Sequence, residues 1–208
     1  MSIRYSEARV PTAVGAFRLR VYEDAHNCGA VAIVGGEPLT QTPVLTRLHA
    51  ACFLAETLGY VGCDCRQRLS FALEAIARCG GVVVYLRRDA RGVRLREQLR
   101  SVAETRSTHA LVEHGLLDDA SFPIAAAILR DLGIAAVRLI DAHHGEAAAL
   151  AAVGVNVTGE VVLGAPPQLR LTALAAIEKV LARAPLPPRS AHAAAAYRDV
   201  VDSGVRRD

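Results

Sequence analysis

The sequence predicts a mixed α/β fold in which antiparallel N-terminal strands precede a mixed sheet flanked by helices, with a helical tail at the C-terminus. Of its 208 residues, 52% are hydrophobic and 22% are charged, which suffices for a buried core and excludes a disordered chain. Helix-like and strand-like segments alternate from residue 66 to residue 158, as in an α/β core. We therefore expect one domain over residues 1–164 and a helical extension over residues 165–208.

The first strands are predicted from alternating apolar residues and from short apolar runs. Phe17, Leu19 and Val21 alternate with polar neighbours, which is typical of a half-buried strand. Residues 30–34 form an apolar run, and residues 43–49 alternate again. Together these segments indicate an antiparallel beginning.

The core and the tail are predicted from helical spacing and from glycine stops. The predicted helices are residues 66–78, 94–104, 122–132 and 146–153, and the predicted strands between them are residues 82–86, 136–140 and 155–158. An amphipathic helix over residues 171–184 follows Pro166-Pro167. Its apolar face must be covered by the chain's own core or by a second subunit.

Charge and apolar run lengths limit the classes of partner. Lys and Arg number 24 against 21 Asp and Glu, so the small net charge of +3 gives no reason to expect nucleic acid or an anionic membrane as a partner. No run approaches the roughly 20 apolar residues of a membrane helix. The first residues lack the apolar segment of a signal peptide, which predicts a cytoplasmic protein.

Three of the five cysteines lie within fourteen residues, at Cys52, Cys63 and Cys65. Thiolates at this spacing suit a soft divalent metal such as zinc, and three ligands leave a fourth position for water. A structural zinc would need a fourth protein ligand, for which His49 is the candidate. A redox pair or an incidental cluster is the alternative interpretation.

A second polar cluster lies at the end of a predicted buried strand and in the loop that follows it. Residues 85–95 carry several arginines where an α/β strand enters a loop, a place where anionic ligands bind. A solvated run of charge is the alternative.

Four segments together identify a resemblance. In chain order they are Arg47-Leu-His-Ala-Ala-Cys52, Gly62-Cys-Asp-Cys65, Tyr85-Leu-Arg-Arg-Asp-Ala-Arg-Gly-Val-Arg-Leu95 and Ile128-Leu-Arg-Asp-Leu-Gly-Ile134. From about Val10 to about Leu163 the chain resembles GTP cyclohydrolase II, a homodimeric zinc enzyme that opens the purine ring of GTP at the head of riboflavin synthesis. The resemblance implies Zn²⁺ as cofactor, with Cys52, Cys63 and Cys65 as its ligands.

The resemblance also implies the remaining site residues. The candidate substrate-binding residues are Arg47, His49, Arg68, Asp89, Arg91, Thr108, Asp141 and His143. Asp118 stands at a family aspartate, and Asp118 or Asp119 is a candidate for moving a proton during catalysis. His143 can also be read as a surface histidine in a loop.

Several positions depart from the family pattern. The family assigns nucleophilic attack on the nucleotide phosphate to an arginine, and this chain has Ala120 at that position. The family tyrosine assigned to ring hydrolysis is replaced by Val102. In place of the family's phosphate-binding threonine and lysine, this chain has Asp141 and Glu146. We expect these acids to repel a triphosphate.

These departures lead to three hypotheses. The first is a zinc-dependent C–N hydrolase of a specialised biosynthetic pathway, acting on a purine-like or other cyclic amide or amidine, with GTP excluded. The second is a genuine GTP cyclohydrolase II of riboflavin synthesis. The third is a non-catalytic zinc-containing binding protein, which a zinc with four protein ligands would favour.

Overall fold

The computed structural model describes residues 4–23, 29–36, 39, 42–87, 93–104 and 117–162. Its strands are β1 (Arg4–Thr12), β2 (Gly15–Glu23), β3 (Gly29–Gly35), β4 (Val44–Ala50), β5 (Gly81–Leu86), β6 (Ala136–Ile140) and β7 (Asn156–Val161). Its helices are α1 (Phe53–Glu56), α2 (Cys65–Cys79), α3 (Val93–Glu104), α4 (Ser121–Asp131) and α5 (Glu146–Ala152). The extension over residues 165–208, including the helix expected at 171–184, lies outside the described residues.

The described strands form one mixed sheet in the order β1-β2-β3-β5-β4-β6-β7. β2 is antiparallel to both of its neighbours, β1 and β3, and β3 is antiparallel to β5. Strands β5, β4, β6 and β7 run parallel. The α/β class is confirmed, and each helix and strand predicted between residues 66 and 158 is present with bounds shifted by a few residues.

The antiparallel expectation was wrong for β4, the strand predicted at residues 43–49. It pairs in parallel with both β5 and β6, because α2 carries the chain back so that β5 starts at the same edge as β4. All of its residues except Leu45 are buried. Arg47 and His49 are only 2% and 3% exposed, so this central strand holds two polar side chains inside the domain.

Helices cover both faces of the sheet. On one face α2 packs Ala72 and Ile76 against Phe17 and Val83. On the other face, α4 and α5 cover a larger apolar cluster that includes Leu48, Val84, Ile128, Leu129, Leu139 and Leu150. Within the described residues, no helix has both the length and the apolar character that crossing a bilayer requires.

Two paired glycines let α2 lie close to the sheet. Gly35 of β3 faces Gly81 of β5, and a Cβ at Gly35 would collide with the backbone carbonyl of Ile76. A Cβ at Gly81 would likewise meet Leu45 and Ile76. The last turns of α2 are therefore seated directly on the strands.

Candidate metal centre and substrate site

The three predicted metal ligands come together where β4 leads into α1 and α2. Cys52 is the residue before α1, Cys65 is the first residue of α2, and Cys63 precedes it by two positions. Their sulfurs lie within 4.8 Å of one another, and Cys52 Sγ is 3.9 Å from Cys63 Sγ. Tetrahedral zinc with Zn–S distances of about 2.3 Å places its sulfurs about 3.8 Å apart. The spacing therefore fits ligation of a single ion.

Burial and mutual proximity raise the pKa of two of these thiols, Cys63 and Cys65. The Cys52 thiol beside it, with burial, raises the pKa of Cys63 to about 11. Hydrogen bonds to Cys52 and Cys63 raise the pKa of Cys65 well above its ordinary value. Three thiolates this close would repel one another, so ionisation of all three requires a cation. A soft donor set of three sulfurs fits zinc.

Apolar side chains cover the cysteine cluster. Tyr60 packs on it from the loop after α1, and Leu95 and Val102 pack on it from α3. Burial, with the neighbouring Cys63 and Cys52, raises the pKa of Tyr60. The residue at the family tyrosine position, Val102, therefore lies against the proposed metal ligands.

A carboxylate that sequence reasoning missed organises the end of β4. Glu56 Oε1 accepts hydrogen bonds from the Cys52 backbone N–H at 2.7 Å and from His49 Nε2 at 3.0 Å. The Tyr85 hydroxyl donates to Glu56 Oε2 at 2.6 Å. Burial alone would raise the pKa of Glu56, but the bonds from His49 and Tyr85 hold it below its ordinary value. The only sequence signal was its place four residues, one helical turn, after Cys52.

His49 does not join the cysteines as a fourth ligand. Among the described residues, the group of closely spaced ligand atoms consists of the three sulfurs. The Nε2 of His49 is engaged with Glu56, and its ring stacks on Tyr85 with centroids 5.6 Å apart. The structure therefore makes His49 part of the support behind Cys52.

Arg47 and Glu146 form a second buried polar group. Arg47 donates from one terminal nitrogen to the carbonyl oxygen of Ile140 at 3.0 Å and to that of Asp141. Glu146, the first residue of α5, is 4% exposed. Burial raises the pKa of Glu146 to about 7, although the attraction of Arg47 opposes the shift. The sequence analysis expected this acid to repel a triphosphate, and the structure adds that the acid is buried.

The other predicted substrate contacts lie around this group. Arg68, in the first turns of α2, forms an ion pair with Asp64 at 2.9 Å. Asp141 is half-buried, has a φ of 45°, and donates its backbone N–H to the Val161 carbonyl at 2.8 Å. His143 is half-buried, and its carbonyl accepts the Glu146 N–H at 3.1 Å. Its half-buried position is not that of a fully exposed loop histidine.

The two candidate proton carriers lie in an exposed turn before α4. Asp118 accepts a hydrogen bond from the Ser121 hydroxyl at 2.5 Å, and its carbonyl accepts the Ser121 N–H at 2.8 Å. Asp119 and Ala120 are exposed beside it. Asp118 therefore holds the beginning of α4. The remaining predicted contacts, Asp89, Arg91 and Thr108, lie outside the described residues.

Known proteins are similar in sequence to this chain over most of its length. The family model described as GTP cyclohydrolase II matches residues 3–162. A GTP cyclohydrolase-2 of Streptomyces coelicolor is 38% identical over 167 residues, covering 76% of this chain and 75% of that protein. A GTP cyclohydrolase-2 of Azospirillum brasilense is 36% identical over 170 residues, covering 76% of this chain.

The chain spans less than half of some relatives, including 43% of the Azospirillum protein. Among solved structures, a two-domain 3,4-dihydroxy-2-butanone 4-phosphate synthase from A. baumannii aligns with a TM-score of 0.47 at 19% identity, covering 79% of this chain and 41% of that one. Because the family model covers most of the sequence and a relative matches over three quarters of its own length, the chain belongs to the GTP cyclohydrolase II family.

Proposed function

We propose that this protein is a zinc-dependent hydrolase that opens the ring of a purine-like or other heterocyclic substrate in a specialised biosynthetic pathway, and that GTP is not its main substrate. The observation that carries the proposal is the group of three buried cysteine sulfurs within 4.8 Å of one another, in a chain of a family of hydrolases. The substrate is a small molecule that reaches this cluster.

Cys52, Cys63 and Cys65 would hold the zinc. When bound, zinc supplies a Lewis acid that lowers the pKa of a coordinated water to about 7. Three protein ligands leave one position open, which favours catalysis over a purely structural role.

The chain's own residues fix the ligands and exclude water. Glu56 accepts a hydrogen bond from the Cys52 backbone N–H, so the first ligand is tied to the buried His49 and to the half-buried Tyr85. Leu95 and Val102 cover the cluster from α3, which keeps solvent from that side. Rigid ligands and a dry environment are what an ordered catalytic metal site requires.

The phosphate end of the site supports a substrate other than GTP. The methyl group of Ala120, at the family arginine position, cannot pair with a phosphate. Glu146 puts a carboxyl group beside Arg47, one terminal nitrogen of which already donates to backbone carbonyls. Arg47, Arg68, Asp141 and His143 would then position the heterocycle.

Proton transfer is proposed for Asp118 or Asp119. Both are exposed in the turn before α4, so either can exchange protons with solvent. Asp89, Arg91 and Thr108 remain proposed substrate contacts on the basis of the family pattern alone.

GTP cyclohydrolase II activity is the second candidate. It is favoured by relatives named GTP cyclohydrolase-2 at 36% and 38% identity. In that case the protein serves riboflavin synthesis.

A substrate panel separates the two candidates. Zinc-loaded protein is incubated with purine and pyrimidine nucleotides, nucleosides and free bases, GTP among them, and the ultraviolet band of the heterocycle is followed. We expect loss of the band with at least one member other than GTP, and no loss with Cys63→Ser. No change with any member overturns ring opening, and rapid loss with GTP alone establishes the second candidate.

We also propose that the protein is a cytoplasmic homodimer that binds neither nucleic acid nor membrane. The family resemblance supports the dimer. Light scattering at micromolar concentrations should give about twice the single-chain mass of 22.1 kDa, and a mass near 22.1 kDa contradicts it.

A further inference from the structure

Two oppositely charged side chains are buried together, one in the middle of β4 and the other at the first residue of α5. Arg47 is 2% exposed and Glu146 is 4% exposed. The two attract each other, yet Arg47 Nε and Glu146 Oε1 each lack a hydrogen-bond partner among the described residues. Buried groups with unused hydrogen-bonding capacity are uncommon and are costly unless a ligand or water satisfies them.

This pair belongs to the same electrostatic region as the cysteine cluster. Arg47 interacts with Cys65, and both Arg47 and Glu146 interact with Arg68 at the start of α2. Two neighbouring arginines would by themselves attract an anion. Arg68 already pairs with Asp64, so the buried Arg47 is the cation whose charge Glu146 offsets.

We propose that Glu146 determines the ligand class of this site. By offsetting Arg47, it makes the end of the site beyond the thiols unfavourable for phosphate and suited to a heterocycle that carries no phosphate there, such as a nucleoside or a free base. The inference deepens the proposed function and relies on it for the kind of substrate.

Anion binding provides a test that does not depend on knowing the substrate. Isothermal titration with inorganic pyrophosphate is carried out at pH 8.5, above the Glu146 pKa of about 7 so that the carboxyl is ionised, on the wild type, Glu146→Gln and Glu146→Lys. Because Glu146 carries the same sign of charge as pyrophosphate, its replacement should tighten pyrophosphate binding by about tenfold or more. Glu146→Gln keeps the size of the side chain, so it provides the measurement if a buried lysine prevents folding.

The matched control is Glu160→Gln. Glu160 is an exposed acid on β7 that interacts electrostatically with Glu146 and gives the same change in net charge. The proposal requires that Glu160→Gln change the affinity for pyrophosphate only slightly. Equal tightening in the Glu160 and Glu146 variants, or no tightening in Glu146→Gln, overturns it.

The outcome is separable from that of the ring-opening assay. Failure of every heterocycle in the ultraviolet assay contradicts the hydrolase and leaves the pyrophosphate result intact. Failure of pyrophosphate to distinguish the variants removes the specificity role of Glu146, whatever the assay shows.

Discussion

The backbone N–H of Cys52 donates to the Oε1 atom of Glu56 at 2.7 Å, so a metal-ligand candidate is held by a carboxylate four residues further along the chain. The same carboxylate binds His49 from β4 and Tyr85 from β5. Three segments of the chain are thereby fixed at a single point behind the cysteine cluster.

Replacement of Glu56 should loosen the metal site. In Glu56→Ala the Cys52 N–H, His49 and Tyr85 lose a buried partner, so we expect zinc affinity to fall by about 10- to 100-fold and stability by about 1–3 kcal/mol. Competition with a chromogenic chelator measures the affinity. Tyr85→Phe removes one hydroxyl but leaves the bond to Cys52, so it should retain zinc. Wild-type affinity in Glu56→Ala would contradict the positioning role.

The cysteine cluster should account for one tightly bound zinc per chain. Cys63→Ser removes one of three sulfurs, and metal analysis should show that most of the zinc is lost. Cys79→Ser is the matched control, because Cys79 is an exposed free cysteine at the end of α2. Full zinc retention in Cys63→Ser would refute the metal assignment.

Glu146 should make stability depend on pH. Burial raises its pKa from an ordinary value of 4.5 to about 7 in the folded protein, so between these values the native state holds a proton that the unfolded state releases. Unfolding should therefore become easier as the pH rises from 4.5 through 7, by up to about 3 kcal/mol from this group. The destabilisation is absent below pH 4.5 and complete above the folded pKa.

Denaturant titrations at several pH values test this sign. Glu146→Gln, which does not titrate, should show a flatter dependence over the same window. Parallel curves for the wild type and the variant would show that other groups are responsible.

GTP should be a poor substrate. Ala120 provides no group that could take up or pair with a phosphate, and Glu146 offsets Arg47. We expect pyrophosphate release from GTP to be slower than about 1 per second, a rate at the low end for enzymes. A coupled pyrophosphate assay with metal-free protein as the blank measures it, and release at or above that rate contradicts the prediction.

The sequence predicted those features that depend on local spacing. The cysteines at positions 52, 63 and 65 were grouped by their separation, and the structure brings their sulfurs together. Helical and strand periodicity gave the core elements because each element buries one face or both. The parallel pairing of β4 was missed, because alternation within a strand carries no information on the direction of its neighbours.

Features that depend on tertiary contact were not predictable. Glu56 is an ordinary helix residue in the sequence, and only the approach of β4 and β5 makes it an acceptor for His49 and Tyr85. Glu146 was expected to repel a triphosphate, and its burial was not anticipated because charged residues are rarely buried. Its burial follows from the position of α5 beside Arg47.

The seating of α2 against Gly35 and Gly81 has a mechanical consequence. This helix of 15 residues, about 22 Å long, begins at a candidate metal ligand and ends on the sheet at those glycines. A helix transmits displacement along its axis with little loss, so its distant end acts as an anchor for Cys65. A side chain introduced at Gly35 would displace the Ile76 carbonyl and tilt α2 as a whole. Loss of zinc would then originate about 16 Å along the helix from Cys65, at a glycine that has no metal-binding chemistry of its own.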